Sequence, residues 1–130
     1  MADYILVVED DEDVAKITAI FLRARGYEVT LCDGGRAGLA AIAQRRPNCI
    51  LLDIMMPEMS GLEMLAILRQ NAETASIPVI LVTAKVRNDD VLAGYTHGAD
   101  YYITKPFTPD QLEYGIRMVL GQSAAAPEKS

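Results

Sequence analysis

Cys49-Ile50-Leu51-Leu52-Asp53-Ile54-Met55-Met56-Pro57 is the stretch on which the fold turns. Residues 49–52 are apolar without a polar alternate and stop on a carboxylate, with a proline four positions beyond it. A strand with one face in water alternates apolar and polar residues, whereas a strand covered on both faces does not. Residues 49–52 therefore read as a strand inside a sheet packed on both sides, with Asp53 at its carboxyl end. Working outward, similar runs occur at 4–8, 29–32, 79–82 and 101–103.

Helical spacing fills the gaps between these runs. Val14, Ile17, Phe21 and Ala24 form one apolar stripe, which Gly26 closes as a C-terminal cap. Leu39, Ile42 and Ala43 form a second. Ser60 and Glu63 have the spacing of a capping box and open a third helix carrying Leu62, Leu65 and Leu68. A fourth helix is expected from about residues 88–90, with Val91, Leu92 and Tyr95 on its apolar side. Thr108, Pro109 and Gln111 open a fifth, with Leu112, Ile116 and Val119 as its buried stripe. The order is β then α, five times, which predicts an α/β fold with a parallel sheet and helices on both faces. Residues 1–121 form one domain in this reading. Residues 122–130, small and polar, form a flexible C-terminal tail.

Bulk properties fit this reading and narrow the function. A chain of 130 residues suits one domain, and it buries enough surface to need no disulfide or metal to fold. The net charge of −6 and the scatter of Lys and Arg argue against direct nucleic-acid binding. Cys32 and Cys49 lie seventeen positions apart in apolar surroundings and read as free thiols in a reducing compartment. Neither a signal peptide nor a membrane span is visible, so a cytoplasmic protein is expected.

Ligands of an open parallel sheet bind beyond the carboxyl ends of its strands. The residues there are Glu9, Asp10 and Asp11 after the first strand, Asp53 after the third, Thr83 and Ala84 after the fourth, and Thr104, Lys105 and Pro106 after the fifth. Three ionised carboxylates about 5 Å apart repel by roughly 3 kcal/mol per pair at an effective dielectric near 20. Lys105 offsets one charge, and a divalent cation would remove the rest. Hard oxygen donors favour Mg²⁺ or Mn²⁺ over zinc. His97 reads as a surface residue away from this edge, while Asp11 and Asp13 read as acids capping the first helix. A cation, a carboxylate, a hydroxyl and a lysine suit phosphoryl transfer, in which charge spreads over three oxygens. Asp53 is the natural nucleophile, with Mg²⁺, Lys105 and the Thr83 hydroxyl each taking one phosphoryl oxygen.

These residues stand in blocks that resemble a known family. Val7-Val8-Glu9-Asp10-Asp11, Leu51-Leu52-Asp53-Ile54-Met55-Met56-Pro57 with Gly61, Val82-Thr83-Ala84 and Lys105-Pro106-Phe107 are similar to the signature blocks of response-regulator receiver domains, the CheY-like switches of two-component signalling. The resemblance spans residues 3 to 121 with every block in order. It implies a flavodoxin-like sheet of strand order 2-1-3-4-5, with Asp53 as the phosphorylation site. Metal would be held by Asp10, Asp53 and the Met55 backbone carbonyl, with Glu9 acting mainly through water. Thr83 and Tyr102 would be the switch pair, although Tyr101 and Tyr102 are both also plain strand residues. Lys105 would bind phosphate, and the peptide before Pro106 would be cis. The family's partners would be a histidine kinase or phosphotransfer protein and a downstream protein. The latter would meet the surface of the fourth helix, fifth strand and fifth helix. The chain would be a monomer or a phosphorylation-dependent dimer, with no direct nucleic-acid contact.

The resemblance also implies a signalling domain that catalyses its own phosphorylation, not a turnover enzyme. Met55 and Lys85 would flank the path of hydrolytic water and slow the loss of the phosphoryl group. No further domain follows in this sequence, so a stand-alone regulator or an excised receiver is expected. Three alternatives stay open. In a nucleotide- or flavin-binding protein of the same fold, Gly34-Gly35-x-x-Gly38 would have to serve, but its spacing is wrong. An aspartyl-phosphate phosphatase would need an acid where Met55 stands. A receiver used only for docking would keep these residues without the reaction.

Overall fold

Every uninterrupted apolar run becomes a strand in the computed structural model, which describes residues 2–84 and 98–121. The strands are β1 (Tyr4–Val8), β2 (Glu28–Cys32), β3 (Cys49–Asp53), β4 (Val79–Thr83) and β5 (Tyr101–Thr104). Four described helices alternate with them: α1 (Glu12–Ala24), α2 (Gly35–Gln44), α3 (Gly61–Gln70) and α4 (Pro109–Val119). All neighbouring strands pair in parallel, in the order β2-β1-β3-β4-β5. The last described helix, α4, is the expected fifth. The expected fourth helix, with Lys85 and His97, lies outside the described residues, as does the tail. No helix among the described residues is long and apolar enough to cross a membrane.

Strand alternation divides the core into two layers. Leu6, Val8, Ile50, Leu52, Val79 and Leu81 point to the side covered by Ile42 of α2 and by Met64, Leu65 and Leu68 of α3. Ile5, Val7, Leu51, Ile80, Val82 and Ile103 point to the other side, against Ala19 and Leu22 of α1 and Leu112 and Ile116 of α4. The three central strands are buried at every position, which is why they carry no polar alternates.

Local signals set the helix ends. α1 closes in a Schellman arrangement: Tyr27 N–H donates to Leu22 O at 3.0 Å and Gly26 N–H to Arg23 O at 3.1 Å. Gly26 has φ +90°, a conformation a side chain would resist. The Ser60–Glu63 and Thr108–Gln111 capping boxes both form.

One expected face is wrong. α1 buries Ala15, Thr18, Ala19 and Leu22, while Ile17 is 50% exposed and Ile20 63% exposed. Val14 and Phe21 are half-buried and Ala24 is exposed. Small residues let α1 sit close to the sheet, so the bulkier apolar residues face outward. In the other helices the shifts are smaller. Ala43 is exposed, Leu39, Leu62 and Val119 are half-buried, and Met64 joins the α3 core face.

Candidate functional site

Backbone hydrogen bonding decides where the two acids after β1 end up. Glu9 N–H donates to Cys32 O at 2.9 Å, which extends the β1–β2 ladder by one residue and keeps Glu9 in line with the sheet. Glu9 is 6% exposed, whereas Asp10, one residue on, is exposed. Asp53 ends β3 and is 4% exposed, and Thr83 ends β4 and is buried. Lys105 follows β5, and its N–H donates to Thr83 O at 2.7 Å, tying that loop to β4. The Lys105–Pro106 peptide is cis.

The side chains of Glu9, Asp10, Asp53 and Lys105 meet. Glu9, Asp10 and Asp53 each bring a carboxylate oxygen within 4.8 Å of the others. Lys105 Nζ donates to Glu9 Oε1 and stands 3.5 Å from Asp53 Oδ2. Two backbone amides hold the remaining oxygens: Asp11 N–H donates to Glu9 Oε2 and Met55 N–H to Asp53 Oδ1, each at 3.2 Å. Behind the acids lies a cavity of about 10 Å³, lined by Glu9 and Asp53 together with Thr18 and Phe107.

Electrostatics follow from this geometry. Burial pushes the Asp53 pKa up to about 7, the bond and charge of Glu9 push the same way, and Lys105 and the Met55 amide oppose them. Burial works against the charge of Lys105, but the Glu9 and Asp53 carboxylates outweigh it and hold its pKa above the ordinary value. The cluster thus carries more negative charge than one ammonium balances. That excess, together with three hard oxygen donors within 4.8 Å, fits a divalent cation.

Other sequence expectations find their places. Asp11 caps α1, its Oδ1 accepting from the N–H groups of Asp13 at 3.0 Å and Val14 at 3.1 Å. Asp13 is exposed in the first turn. Met55 sits at the rim, 57% exposed. Register separates the two tyrosines: Leu81 pairs with Tyr102 and Thr83 with Thr104, so Tyr102 shares the face of Thr83. Tyr101 faces the other way, its ring 6.4 Å from that of Tyr114 on α4. Both cysteines are free, and burial raises their thiol pKa values.

Sequence reasoning missed the two backbone donors and the steric role of Gly61. A Cβ on Gly61 would stand 2.2 Å from Asp53 O, and Gly61 N–H donates to Ile54 O at 3.0 Å. The loop from β3 to α3 therefore folds directly over the Asp53 backbone. A glycine eight positions after the carboxylate was the signal available, but spacing alone gives no contact.

With this geometry in view, the comparison with known families is decisive. The family model of the response regulator receiver domain matches residues 5–117. The chain belongs to that family. DNA-binding response regulator MtrA of Mycobacterium tuberculosis is 36% identical over 127 residues, covering 98% of this chain and 54% of MtrA. Phosphate regulon transcriptional regulatory protein PhoB of Pseudomonas aeruginosa is 39% identical over 116 residues, covering 89% of this chain and 51% of PhoB. Among solved structures, chemotaxis protein CheY4 of Vibrio cholerae matches with a TM-score of 0.88 and 27% identity, over 92% of this chain and 99% of that one. A CheY-like receiver domain protein of Methanospirillum hungatei matches with a TM-score of 0.86 and 31% identity, over 93% and 95% of the two chains. The receiver spans about half the length of the curated relatives it matches.

One expectation is corrected by these relatives. The acidic balance of the chain argued against any direct nucleic-acid role, yet a relative at 36% identity is by name a DNA-binding response regulator. The charge argument describes the surface of these 130 residues alone. It has no bearing on the other half of proteins about twice as long.

Proposed function

We propose that this receiver takes a phosphoryl group on Asp53 from a phosphohistidine donor and acts as a two-state switch. The observation that carries the reading is the convergence of Glu9, Asp10 and Asp53 within 4.8 Å, with Lys105 on two of them. In the reaction the donor's N–P bond breaks and an Asp53 Oδ–P bond forms, giving a mixed anhydride. The backbone amide of Met55 orients the carboxylate for in-line attack. Lys105 and the Thr83 hydroxyl receive the phosphoryl oxygens. Asp10, Asp53 and the Met55 backbone carbonyl, with Glu9 beside them, would hold a Mg²⁺ ion, which would supply charge neutralisation, and Mn²⁺ has the same donor preferences.

The dianion on Asp53 draws the Thr83 hydroxyl toward it, and Tyr102, on the same sheet face, rotates into the space released. The phosphate acts only through its different interaction with the two states. The output surface comprises β5 and α4 together with the helix expected before β5, which lies outside the described residues. In a longer protein like MtrA or PhoB, this switch would control a nucleic-acid-binding output. The receiver is not a turnover enzyme in this reading: each molecule takes one phosphoryl group and hydrolyses it slowly in the cytoplasm.

Intact mass after incubation with acetyl phosphate and Mg²⁺ tests the reaction. Gain of one phosphoryl group, absent in EDTA and absent from Asp53→Asn, is expected. An unchanged mass with both acetyl phosphate and a phosphohistidine donor would leave the docking-only reading in its place.

A further inference from the structure

Val7 and Leu51 point to the α1 side of the sheet, and Glu9 and Asp53, two residues on, continue that alternation. Both acids therefore leave the sheet on the side that α1 covers. The buried face of α1 is Ala15, Thr18, Ala19 and Leu22, so Thr18 is its one polar residue, and it is 4% exposed. Threonine forms helix less readily than alanine or leucine, and valine has the same shape without the hydroxyl. Thr18 Oγ1 donates its single proton to Val14 O at 2.7 Å, which leaves it only lone pairs to offer elsewhere. Those lone pairs have a place to act. The cavity of about 10 Å³ behind the acids has Thr18, Glu9 and Asp53 as its polar walls, and its apolar walls include Val82 and Phe107. Such a volume is about that of one water-sized probe sphere, and a buried water needs two to four polar partners.

We propose that Thr18 is a positioning residue, holding one water in this cavity against the buried carboxylates from the α1 side. Its consequence for the reaction rests on the phosphoacceptor reading. The water donates one proton to Thr18 Oγ1 and the other to a carboxylate oxygen. Glu9 already has both oxygens engaged, by Lys105 Nζ and by Asp11 N–H. Asp53 has more to gain: its Oδ1 accepts from Met55 N–H at 3.2 Å, while the nearest cation stands 3.5 Å from Oδ2, longer than an ordinary N–H···O bond. A second hydrogen bond from behind fixes the rotation of the Asp53 carboxylate, so that a lone pair stays aimed at the open edge of the sheet. Orientation of a nucleophile governs the rate of attack and leaves donor binding alone. Thr18 thus acts through the water and touches neither donor nor metal.

The test joins a high-resolution crystal structure of the wild-type protein to phosphorylation kinetics with acetyl phosphate in saturating Mg²⁺. Thr18→Val removes the hydroxyl and keeps the shape, and Thr18→Ser keeps the hydroxyl and loses the methyl. The crystal should show a water within about 3.2 Å of Thr18 Oγ1 and of a Glu9 or Asp53 oxygen. In Thr18→Val the maximal rate should fall about fivefold or more at an unchanged half-saturating acetyl phosphate concentration, while Thr18→Ser stays within about twofold of wild type. A wild-type cavity without that water would overturn the inference, even if Thr18→Val folds poorly. So would a Thr18→Val rate within about twofold of wild type, or a Thr18→Ser protein as slow as Thr18→Val, which would assign the loss to packing. All three leave the phosphoacceptor reading standing. A wild type that takes no phosphoryl group from any donor would overturn that reading and this role of Thr18 with it.

Discussion

At the scale of single residues, the site is built from groups that fold at a cost to stability. Asp53 has its pKa raised from 3.8 to about 7, so the folded protein holds a proton that the unfolded chain releases. Its contribution to stability is therefore complete below about pH 4 and is lost as pH rises through about 7. In the metal-free protein, Asp53→Asn should accordingly raise stability by about 1–3 kcal/mol at pH 8 and by little near pH 4. Urea titrations in EDTA at the two pH values check this, and equal effects at both would contradict the shift. Metal reverses the balance, because binding requires the carboxylate form. Mg²⁺ affinity should fall as pH drops from 8 to 6. Met55 offers a second residue-level expectation. An exposed thioether beside an acyl phosphate does not orient water, so Met55→Asn should speed loss of the phosphoryl group several-fold in a dephosphorylation time course. These residues were legible because each ends a strand, and the carboxyl ends of parallel strands converge. The backbone donors were not legible, because an amide leaves no mark on the residue type that carries it.

Elements position those residues, and here packing overrode periodicity in one case. α1 has two apolar faces, and the bulkier one looked like the core face. The helix instead lies on the sheet through Ala15 and Ala19, with Ile17 and Ile20 outward. Volume ranks side chains by what they would bury, not by how closely a helix approaches. Ile20→Ser should therefore change stability by no more than about 0.5 kcal/mol, while Leu22→Ala should cost about 2–4 kcal/mol in denaturant unfolding. A larger loss at Ile20 than at Leu22 would contradict the face that α1 buries in the structure. The loop from β3 to α3 makes a sharper demand. Since a Cβ at Gly61 would sit 2.2 Å from Asp53 O, Gly61→Ala should cost about 2 kcal/mol or more and slow phosphorylation by moving the Asp53 backbone. Capping boxes and the Gly26 turn were legible at residue resolution because each is a local chemical solution to unpaired helix ends.

For the molecule as a whole, alternation of five apolar runs with helical spacing sufficed to read a doubly wound sheet. Strand order did not follow from that pattern; it came from the family resemblance, and the sheet has the order β2-β1-β3-β4-β5. The order matters for function because it sets β3 between β1 and β4, with Asp53 next to the acids of β1 on one side and Thr83 on the other. Output was the least legible property. Charge and composition describe this chain alone, and its relatives are about twice as long, so a reading confined to these residues misjudged a nucleic-acid role. The central claim is that one carboxylate, Asp53, carries the phosphoryl group. An acyl phosphate, unlike a phosphoserine or phosphothreonine, is reduced by borohydride to an alcohol, which at an aspartate leaves homoserine. The most direct measurement is borohydride reduction of the acetyl phosphate-treated protein in Mg²⁺, followed by peptide mass mapping. Homoserine at position 53 and nowhere else is the predicted result. Reduction at Asp10 or another carboxylate, or none in a protein that has gained a phosphoryl group, would contradict it.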